Sequence, residues 1–130
     1  MPQQPQLATP AYSILLVEDE VLVRLAVADE LRQEGYSVIE AASTDEALEV
    51  LGSDVAIDLV LTDLRTAGSL DGVNFVRRVN SDLPHIKLLL AVEDAARSGS
   101  AIEADGFFAK PYRFPELLSQ IRSLLEPKPA

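Results

Sequence analysis

The stretch Leu59-Val60-Leu61-Thr62-Asp63 is an apolar run that ends on one acidic side chain and leads directly into a polar segment containing glycine. Continuous apolar runs bounded by turn residues suit a strand that is covered on both faces, as in a parallel sheet. Ligands of such sheets bind beyond the carboxyl ends of the strands. Asp63 therefore occupies the position of a site residue, although a lone acid at a strand end is more often only solvated.

The rest of the chain alternates strand-like runs with helical patterns. The strand-like runs lie at residues 13–17, 37–41, 59–63, 86–92 and 106–109. Helical patterns begin near Val21, Ser43, Asp71 and Phe114. Strands that alternate with helices predict right-handed crossovers and a parallel sheet with helices on both faces. We therefore expect an α/β fold in three layers, with a doubly wound five-stranded parallel sheet in the middle.

The helical patterns differ in clarity. The first is predicted to be an amphipathic helix, because four apolar residues recur at helical spacing: Val21, Leu25, Ala28 and Leu31. Residues 43–46 form a capping-box pattern that opens the second helix. Residues 93–105 contain a Ser-Gly-Ser break and little apolar periodicity, so a fourth helix in that segment is expected to be short or irregular.

Composition limits the classes of function open to the chain. Its 130 residues fit one compact domain at residues 12–126, with unpacked ends at residues 1–11 and 127–130. The net charge of -10 argues against a nucleic-acid partner, because a phosphate backbone requires a basic surface. The absence of cysteine excludes thiol chemistry, and a single histidine, His85, excludes multi-histidine zinc sites. The sequence shows no long apolar run and no secretory leader, which predicts a cytoplasmic protein without membrane contact.

Charged side chains follow three of the predicted strands. Glu18 and Asp19 follow the first strand, Asp63 ends the third, and Lys110 follows the fifth. Because the carboxyl ends of parallel strands share one edge of the sheet, three carboxylates are expected to lie within a few ångströms. Hard oxygen ligands suit Mg²⁺, and a dication with an ammonium suits phosphoryl transfer. Taken singly, the acids are typical of a solvated helix N-terminus and the lysine of a surface residue.

Four short motifs occur in a fixed order: Leu15-Leu16-Val17-Glu18-Asp19-Glu20, Leu59-Val60-Leu61-Thr62-Asp63, Asp71-Gly72 and Phe108-Ala109-Lys110-Pro111-Tyr112. Together they resemble the receiver domain of two-component response regulators over about residues 13–125. The resemblance implies a flavodoxin-like sheet with strand order 2-1-3-4-5. It also implies a phosphoprotein of a phosphorelay, a signalling domain that catalyses only its own phosphorylation and dephosphorylation.

The resemblance implies a role for each residue at the predicted edge. Asp63 is the implied phosphoacceptor, which attacks the phosphohistidine of a sensor kinase. Lys110 is the implied partner of the phosphoryl oxygens. The implied Mg²⁺ ligands are Asp19 directly, Glu18 through a metal-bound water, Asp63 itself, and the backbone carbonyl of Arg65.

Two departures from the family pattern affect how a phosphorylated state would be transmitted. Ala91 stands where the family has a Thr or Ser, whose hydroxyl binds the phosphoryl group, and a methyl group cannot replace it. Phe107 falls where the family often has an aromatic rotamer switch. The segment at residues 93–105, in the region of the usual partner-binding face, is shorter than the family norm. The switch is therefore open to two interpretations: a tolerated variation, or an altered or absent response.

Three functions remain open from the sequence. The leading one is a single-domain response regulator that receives a phosphoryl group from a sensor histidine kinase or phosphotransfer protein and signals to an unknown protein target. The alternative is a receiver-like adaptor that works without phosphorylation. A Mg²⁺-dependent phosphohydrolase is disfavoured, because Arg65 stands where a second catalytic aspartate would be needed.

Overall fold

The computed structural model describes residues 11–65, 68, 71–92 and 103–126. Within these residues the chain forms five strands and four helices. They are β1 (Ser13–Val17), α1 (Val21–Gln33), β2 (Ser37–Ala41), α2 (Thr44–Leu51), β3 (Leu59–Asp63), α3 (Gly72–Asp82), β4 (Lys87–Val92), β5 (Gly106–Ala109) and α4 (Phe114–Leu125).

The five strands form one parallel sheet in the order β2-β1-β3-β4-β5. This order confirms the predicted fold class. It makes β1 and β3 neighbours, so the acidic segment that follows β1 and the acid that ends β3 leave the same edge of the sheet side by side. β4 lies between β3 and β5.

All five residues of β3 are buried, as expected for a central strand covered on both faces. Leu59 and Leu61 pack in one core with side chains of α1 and α4. Val60 packs in the second core with side chains of α2 and α3. Because successive side chains of a strand point to opposite faces, Asp63 belongs to the α1 and α4 side and Thr62 to the other.

Two of the predicted helix starts are capped as their sequences indicate. Ser43 Oγ accepts a hydrogen bond from the backbone N–H of Glu46 at 3.1 Å, and Glu46 Oε1 accepts one from Ala42 N–H at 2.7 Å. Asp71 Oδ1 accepts one from Asn74 N–H at 2.9 Å, which caps α3. These contacts satisfy N–H groups that a helix leaves without intrahelical partners.

The buried face of α1 differs from the predicted one. Ala28 and Leu31 are buried as expected, but Val21 and Leu25 are 54% and 49% exposed. Val27 is also buried, and Val23 packs against the same core. The helix is therefore amphipathic, but its buried face passes through Val23 and Val27, and Val21 and Leu25 lie outside it.

Several predictions concern residues outside the described part of the chain. The irregular fourth helix would lie within 93–105, of which the structure describes only residues 103–105. The unpacked ends fall almost entirely on residues 1–10 and 127–130, which are also outside it. Among the described helices the longest, α1, has 13 residues, and none has the length and apolar character needed to cross a bilayer core of about 30 Å.

Candidate functional site

Asp63 lies at the exit of β3 and is only 6% exposed. Its Oδ1 accepts a hydrogen bond from Arg65 N–H at 2.9 Å, and its Oδ2 accepts one from the Lys110 ammonium at 2.5 Å. A carboxylate this buried requires such donors, because burial without them strongly disfavours the charged form. The two contacts fix the orientation of the side chain at the sheet edge.

Lys110 follows β5 and reaches over the exit of β4 to Asp63. The hydrogen bond with Asp63 raises the pKa of Lys110, while partial burial acts in the opposite direction. The charges of Glu18 and Glu20 raise it further. Lys110 is therefore an ammonium at neutral pH, facing the acids of the site. The peptide bond between Lys110 and Pro111 is cis.

Glu18 lies immediately after β1 and is 1% exposed. Its Oε2 accepts a hydrogen bond from Glu20 N–H, and its Oε1 accepts one from the Tyr112 hydroxyl, each at 3.1 Å. Burial raises the pKa of Glu18, and these two hydrogen bonds and the Lys110 charge oppose that rise. Asp19, the next residue, is exposed. The buried acid and the exposed acid thus lie side by side at the exit of β1.

The acids at this edge are held by hydrogen-bond donors. The carboxylate oxygens of Asp63 and Glu18 accept hydrogen bonds from an ammonium, a phenol and two backbone N–H groups. Across residues 11–65, 68, 71–92 and 103–126, no group of three His, Cys, Asp or Glu side chains is arranged to hold a metal ion by itself. The predicted grouping of Glu18, Asp19 and Asp63 around a metal ion stays a prediction.

The donor chemistry nevertheless fits Mg²⁺. Glu18, Asp19 and Asp63 offer only hard oxygen ligands at one edge. Mg²⁺ in phosphate-binding sites is usually held through one or two carboxylates together with waters and phosphate oxygens. A cage of three side chains is therefore not required for Mg²⁺ at this edge.

Ala91 pairs in register with Asp63 on one side and with Phe108 on the other. It is fully buried and packs in the core between the sheet and the α1 and α4 side. The strand position next to the acidic residue thus carries a methyl group that neither donates nor accepts a hydrogen bond. Phe107 is partly buried and packs against the opposite core, with α2 and α3.

Two glycines after β3 lie at close approaches. Gly68 has φ +149°, and a Cβ there would lie 2.0 Å from Thr44 Oγ1. Gly72 is the first residue of α3, and a Cβ there would lie 2.0 Å from the backbone carbonyl oxygen of Leu64. The Asp71-Gly72 pair therefore lets α3 start against the residue that follows Asp63.

Two residues of the site were not identified from the sequence. Tyr112 was noted only as part of a motif, yet its hydroxyl binds the most buried acid. Arg24, in α1, is the second: its guanidinium donates to the Glu18 carbonyl at 3.0 Å and to Glu40 Oε1 at 3.2 Å. A tyrosine that follows Lys-Pro was the available signal for the first. No signal in the sequence pointed to the second.

Comparison with known proteins places this arrangement in a family. Residues 14–122 match the family model of the response regulator receiver domain. The chain belongs to that family. The match covers most of the chain and includes every residue of the edge described above.

Receiver segments of longer proteins are among the relatives of this receiver domain. It is 37% identical over 121 residues to the sensor kinase CckA of Brucella abortus, covering 88% of this chain and 12% of CckA. It is 36% identical over 134 residues to the alkaline phosphatase synthesis transcriptional regulatory protein SphR of Synechococcus elongatus, covering 93% of this chain and 51% of SphR. The chain thus spans about half the length of SphR and much less of CckA.

Solved receiver structures share the fold. The chemotaxis response regulator CheY4 of Vibrio cholerae is 25% identical with a TM-score of 0.80, covering 89% of this chain and 100% of that one. The response regulator TrrA of Thermotoga maritima is 26% identical with a TM-score of 0.78, and the match covers 88% of this chain and 99% of TrrA. TrrA was solved in complex with Mg²⁺ and BeF.

Proposed function

We propose that this receiver domain accepts a phosphoryl group on Asp63 from the phosphohistidine of a sensor histidine kinase or a phosphotransfer protein, and then acts through protein contacts. The observation that supports this most strongly is the ion pair between the Lys110 ammonium and Asp63 Oδ2. A buried carboxylate beside a fixed cation combines a nucleophile with a group that stabilises developing negative charge.

Asp63 supplies the nucleophilic oxygen in this proposal. In-line attack of a carboxylate oxygen on phosphorus forms an O–P bond, while the P–N bond to the histidine breaks and its electron pair passes to the imidazole. Arg65 N–H and the Lys110 ammonium orient the two oxygens. These contacts hold the nucleophilic carboxylate in a fixed orientation at the edge of the sheet.

Lys110 stabilises the charge that the reaction moves. Its raised pKa, caused first by the hydrogen bond with Asp63, keeps it cationic at neutral pH. As the carboxylate becomes an aspartyl phosphate, the negative charge shifts to the phosphoryl oxygens within reach of the same ammonium. An interaction that strengthens as charge develops lowers the barrier for the chemical step.

The proposed Mg²⁺ ligands are Asp19, Asp63 and the backbone carbonyl of Arg65, with Glu18 acting through water. When bound, Mg²⁺ neutralises negative charge on the transferred phosphoryl group. Glu18 contributes a carboxylate that is almost wholly shielded from bulk water. Asp19 is exposed and accessible to a cation arriving from solvent.

A second candidate function is favoured by Ala91. Its buried methyl group lies in register with Asp63, where the family pattern has a hydroxyl that engages the phosphoryl group. An adaptor that binds its partner in the same way with or without phosphorylation would tolerate this change. The two candidates differ in whether the conformation changes when Asp63 is modified.

The test is to incubate the protein with Mg²⁺ and acetyl phosphate and to measure the intact mass. We expect a mass increase equal to one phosphoryl group in the unsubstituted protein and none in Asp63→Asn. Asp82→Asn, on the exposed end of α3, is the matched control and should be phosphorylated normally. Normal phosphorylation of Asp63→Asn would refute the assignment of the acceptor.

Amide chemical shifts recorded with Mg²⁺ and beryllofluoride separate the two candidate functions. Shift changes that extend from Asp63 to β4 and β5 support a phosphorylation-dependent regulator. If the amide signals stay in place at every Mg²⁺ concentration, the result supports the phosphorylation-independent adaptor.

A further inference from the structure

Tyr112 follows Lys110 and Pro111 and donates its hydroxyl hydrogen bond to Glu18 Oε1 at 3.1 Å. We propose that Tyr112 is a positioning residue, which holds the Glu18 carboxylate in the orientation needed for Mg²⁺ binding. This inference rests on the proposed function, because it assigns a role at the same site. It concerns a residue to which neither the family pattern nor the sequence gave a function.

The hydrogen bonds of Glu18 give the first argument. Glu20 N–H holds Oε2 and the Tyr112 hydroxyl holds Oε1, so both oxygens are fixed by donors from different parts of the chain. Glu18 is 1% exposed, so bulk water cannot easily replace a donor that is lost. A carboxylate fixed at both oxygens loses less conformational freedom when it engages a metal-bound water.

The packing of the tyrosine ring gives the second argument. Its centroid lies 5.1 Å from that of Phe108, with a tilt of 56° between the two ring planes. The ring also packs against the core on the α1 and α4 side. A ring held by packing presents its hydroxyl at a defined point, as a positioning group must.

The chain contains a matched control for this contact. The hydroxyl of Tyr36 donates to Glu126 Oε2 at 2.8 Å, and Tyr36 is 7% exposed. This second tyrosine–glutamate pair joins the turn before β2 to the end of α4, at the opposite end of the sheet from Asp63. Replacing either tyrosine by phenylalanine removes one phenol and leaves the ring in place.

The decisive experiment measures the Mg²⁺ dissociation constant from amide shifts of the unsubstituted protein, Tyr112→Phe and Tyr36→Phe. Loss of a hydrogen bond to a direct metal ligand typically weakens binding about 10-fold to 100-fold, and the effect should be smaller for Glu18, which acts through a metal-bound water. We expect Tyr112→Phe to raise the dissociation constant by up to about tenfold and Tyr36→Phe to leave it unchanged. Both variants should have a lower Tm in chelator, because each loses one hydrogen bond.

A second readout separates positioning from general damage to the site. In acetyl phosphate reactions, Tyr112→Phe should raise the Mg²⁺ concentration for half-maximal rate by about the same factor as the dissociation constant. The limiting rate at saturating Mg²⁺ should stay within about twofold of the unsubstituted value. A fall in the limiting rate without a change in Mg²⁺ requirement would contradict the positioning role.

A third variant tests whether Tyr112 acts through Glu18. In a Glu18→Gln background the carboxylate is gone, so Tyr112→Phe should have little additional effect on Mg²⁺ affinity. An effect of the same size in both backgrounds would mean that the hydroxyl acts on the site by another route and would overturn the inference.

The outcomes distinguish the inference from the function on which it rests. Equal Mg²⁺ affinity of Tyr112→Phe and the unsubstituted protein overturns the positioning role and leaves the proposed function intact. Equal weakening in Tyr112→Phe and Tyr36→Phe overturns it as well, because the effect is then general. Absence of Mg²⁺ binding by the unsubstituted protein overturns both.

If Tyr112→Phe does not fold, the unsubstituted protein still provides the test. The chain has three tyrosines and no tryptophan, so isotope-labelled tyrosine ring signals are few, and Tyr12→Phe and Tyr36→Phe together assign all three. We expect the Tyr112 ring signal to shift with the same dissociation constant as the amides, and the Tyr36 signal to stay in place. A Tyr112 signal that ignores saturating Mg²⁺ would overturn the inference.

Discussion

The exits of β3 and β4 are neighbours in register, yet they differ sharply in chemistry. Asp63 at the end of β3 is buried and hydrogen-bonded to Lys110 and to Arg65 N–H. Ala91, its partner on β4, is fully buried and presents only a methyl group. The polar exit has what a phosphoryl acceptor needs, while the apolar exit lacks the hydroxyl that would sense the product. In the proposed function, acceptance of the phosphoryl group therefore depends on Asp63 and Lys110, and its transmission on a position that carries only a methyl group.

The largest expected effect comes from removing the cation from the polar exit. Lys110→Ala deletes the ammonium that binds Asp63 Oδ2, and we expect phosphorylation by acetyl phosphate to slow about 10²-fold to 10³-fold, as for the loss of one preorganised charge-stabilising donor. The rate of mass increase at saturating Mg²⁺ measures this loss. Lys87→Ala, at the exposed start of β4, is the control. Equal phosphorylation rates in the two variants would show that Lys110 does not take part in the reaction.

The next effect is on the loop that follows the polar exit. Gly72→Ala places a Cβ 2.0 Å from the Leu64 carbonyl oxygen, so the backbone must move. We expect a loss of about 2–3 kcal/mol in the free energy of unfolding, measured with urea. Gly52→Ala, where the nearest atom is 3.3 Å away, should change it by less than about 1 kcal/mol. Similar values for both would show that the loop adapts easily.

A smaller effect is expected from adding the absent hydroxyl to the apolar exit. Ala91→Thr should enlarge the amide-shift response of β4 and β5 to Mg²⁺ and beryllofluoride. Ala91→Val has nearly the same shape without the hydroxyl, and both should cost about 1–3 kcal/mol of stability through overpacking. A response no larger in the Thr variant than in the Val variant would mean that the hydroxyl does not limit transmission.

The smallest effect is a dependence of stability on pH. Burial raises the pKa of Glu18, so the folded chain binds this proton more tightly than the unfolded chain does. The associated stability is present at low pH and is lost as the pH rises through the folded-state pKa. In chelator, the stability of the unsubstituted protein relative to Glu18→Gln should therefore fall as the pH rises above the ordinary pKa of a glutamate, 4.5.

Urea unfolding at several pH values measures this difference. Glu49→Gln, at an exposed position of α2, is the control for replacing a glutamate by glutamine. A difference for Glu18→Gln that grows with pH would mean that the hydrogen bonds from Tyr112 and Glu20 outweigh burial.

The sequence predicted the sheet well because its signals are local and strong. The apolar runs, the cap at Ser43 and the glycine of the Asp71-Gly72 pair each specify a conformation over a few residues. The alternation of strands and helices then limits the topology. Asp63 and Lys110, the acceptor and cation of the proposed site, followed from the shared edge of parallel strands.

Contacts between distant parts of the chain were not predicted. The exposure of Val21 and Leu25 depends on which face of α1 packs on the sheet, and apolar residues on more than one face leave this open. The hydrogen bond between Tyr112 and Glu18 joins residues 94 positions apart. The donors that hold the carboxylates of Asp63 and Glu18 also come from distant segments, and a local pattern does not specify them.

Arg24 also contributes to a charged group at the outer edge of β2. Among the described strands, β2 has a neighbour on one side only, which is β1. Ser37 N–H points toward β1, so the Val38 carbonyl points outward, and Arg32 donates to it at 2.8 Å. Arg32 and Arg24 also bind the two carboxylate oxygens of Glu40.

This group of two arginines and one glutamate covers an acceptor to which an incoming strand would otherwise bind. Charged side chains at a sheet edge oppose the strand-to-strand association that leads to aggregation. Arg24 also donates to the Glu18 carbonyl. The same side chain therefore contacts the acidic turn after β1 and belongs to a charged group that opposes edge-to-edge association of two copies of the sheet.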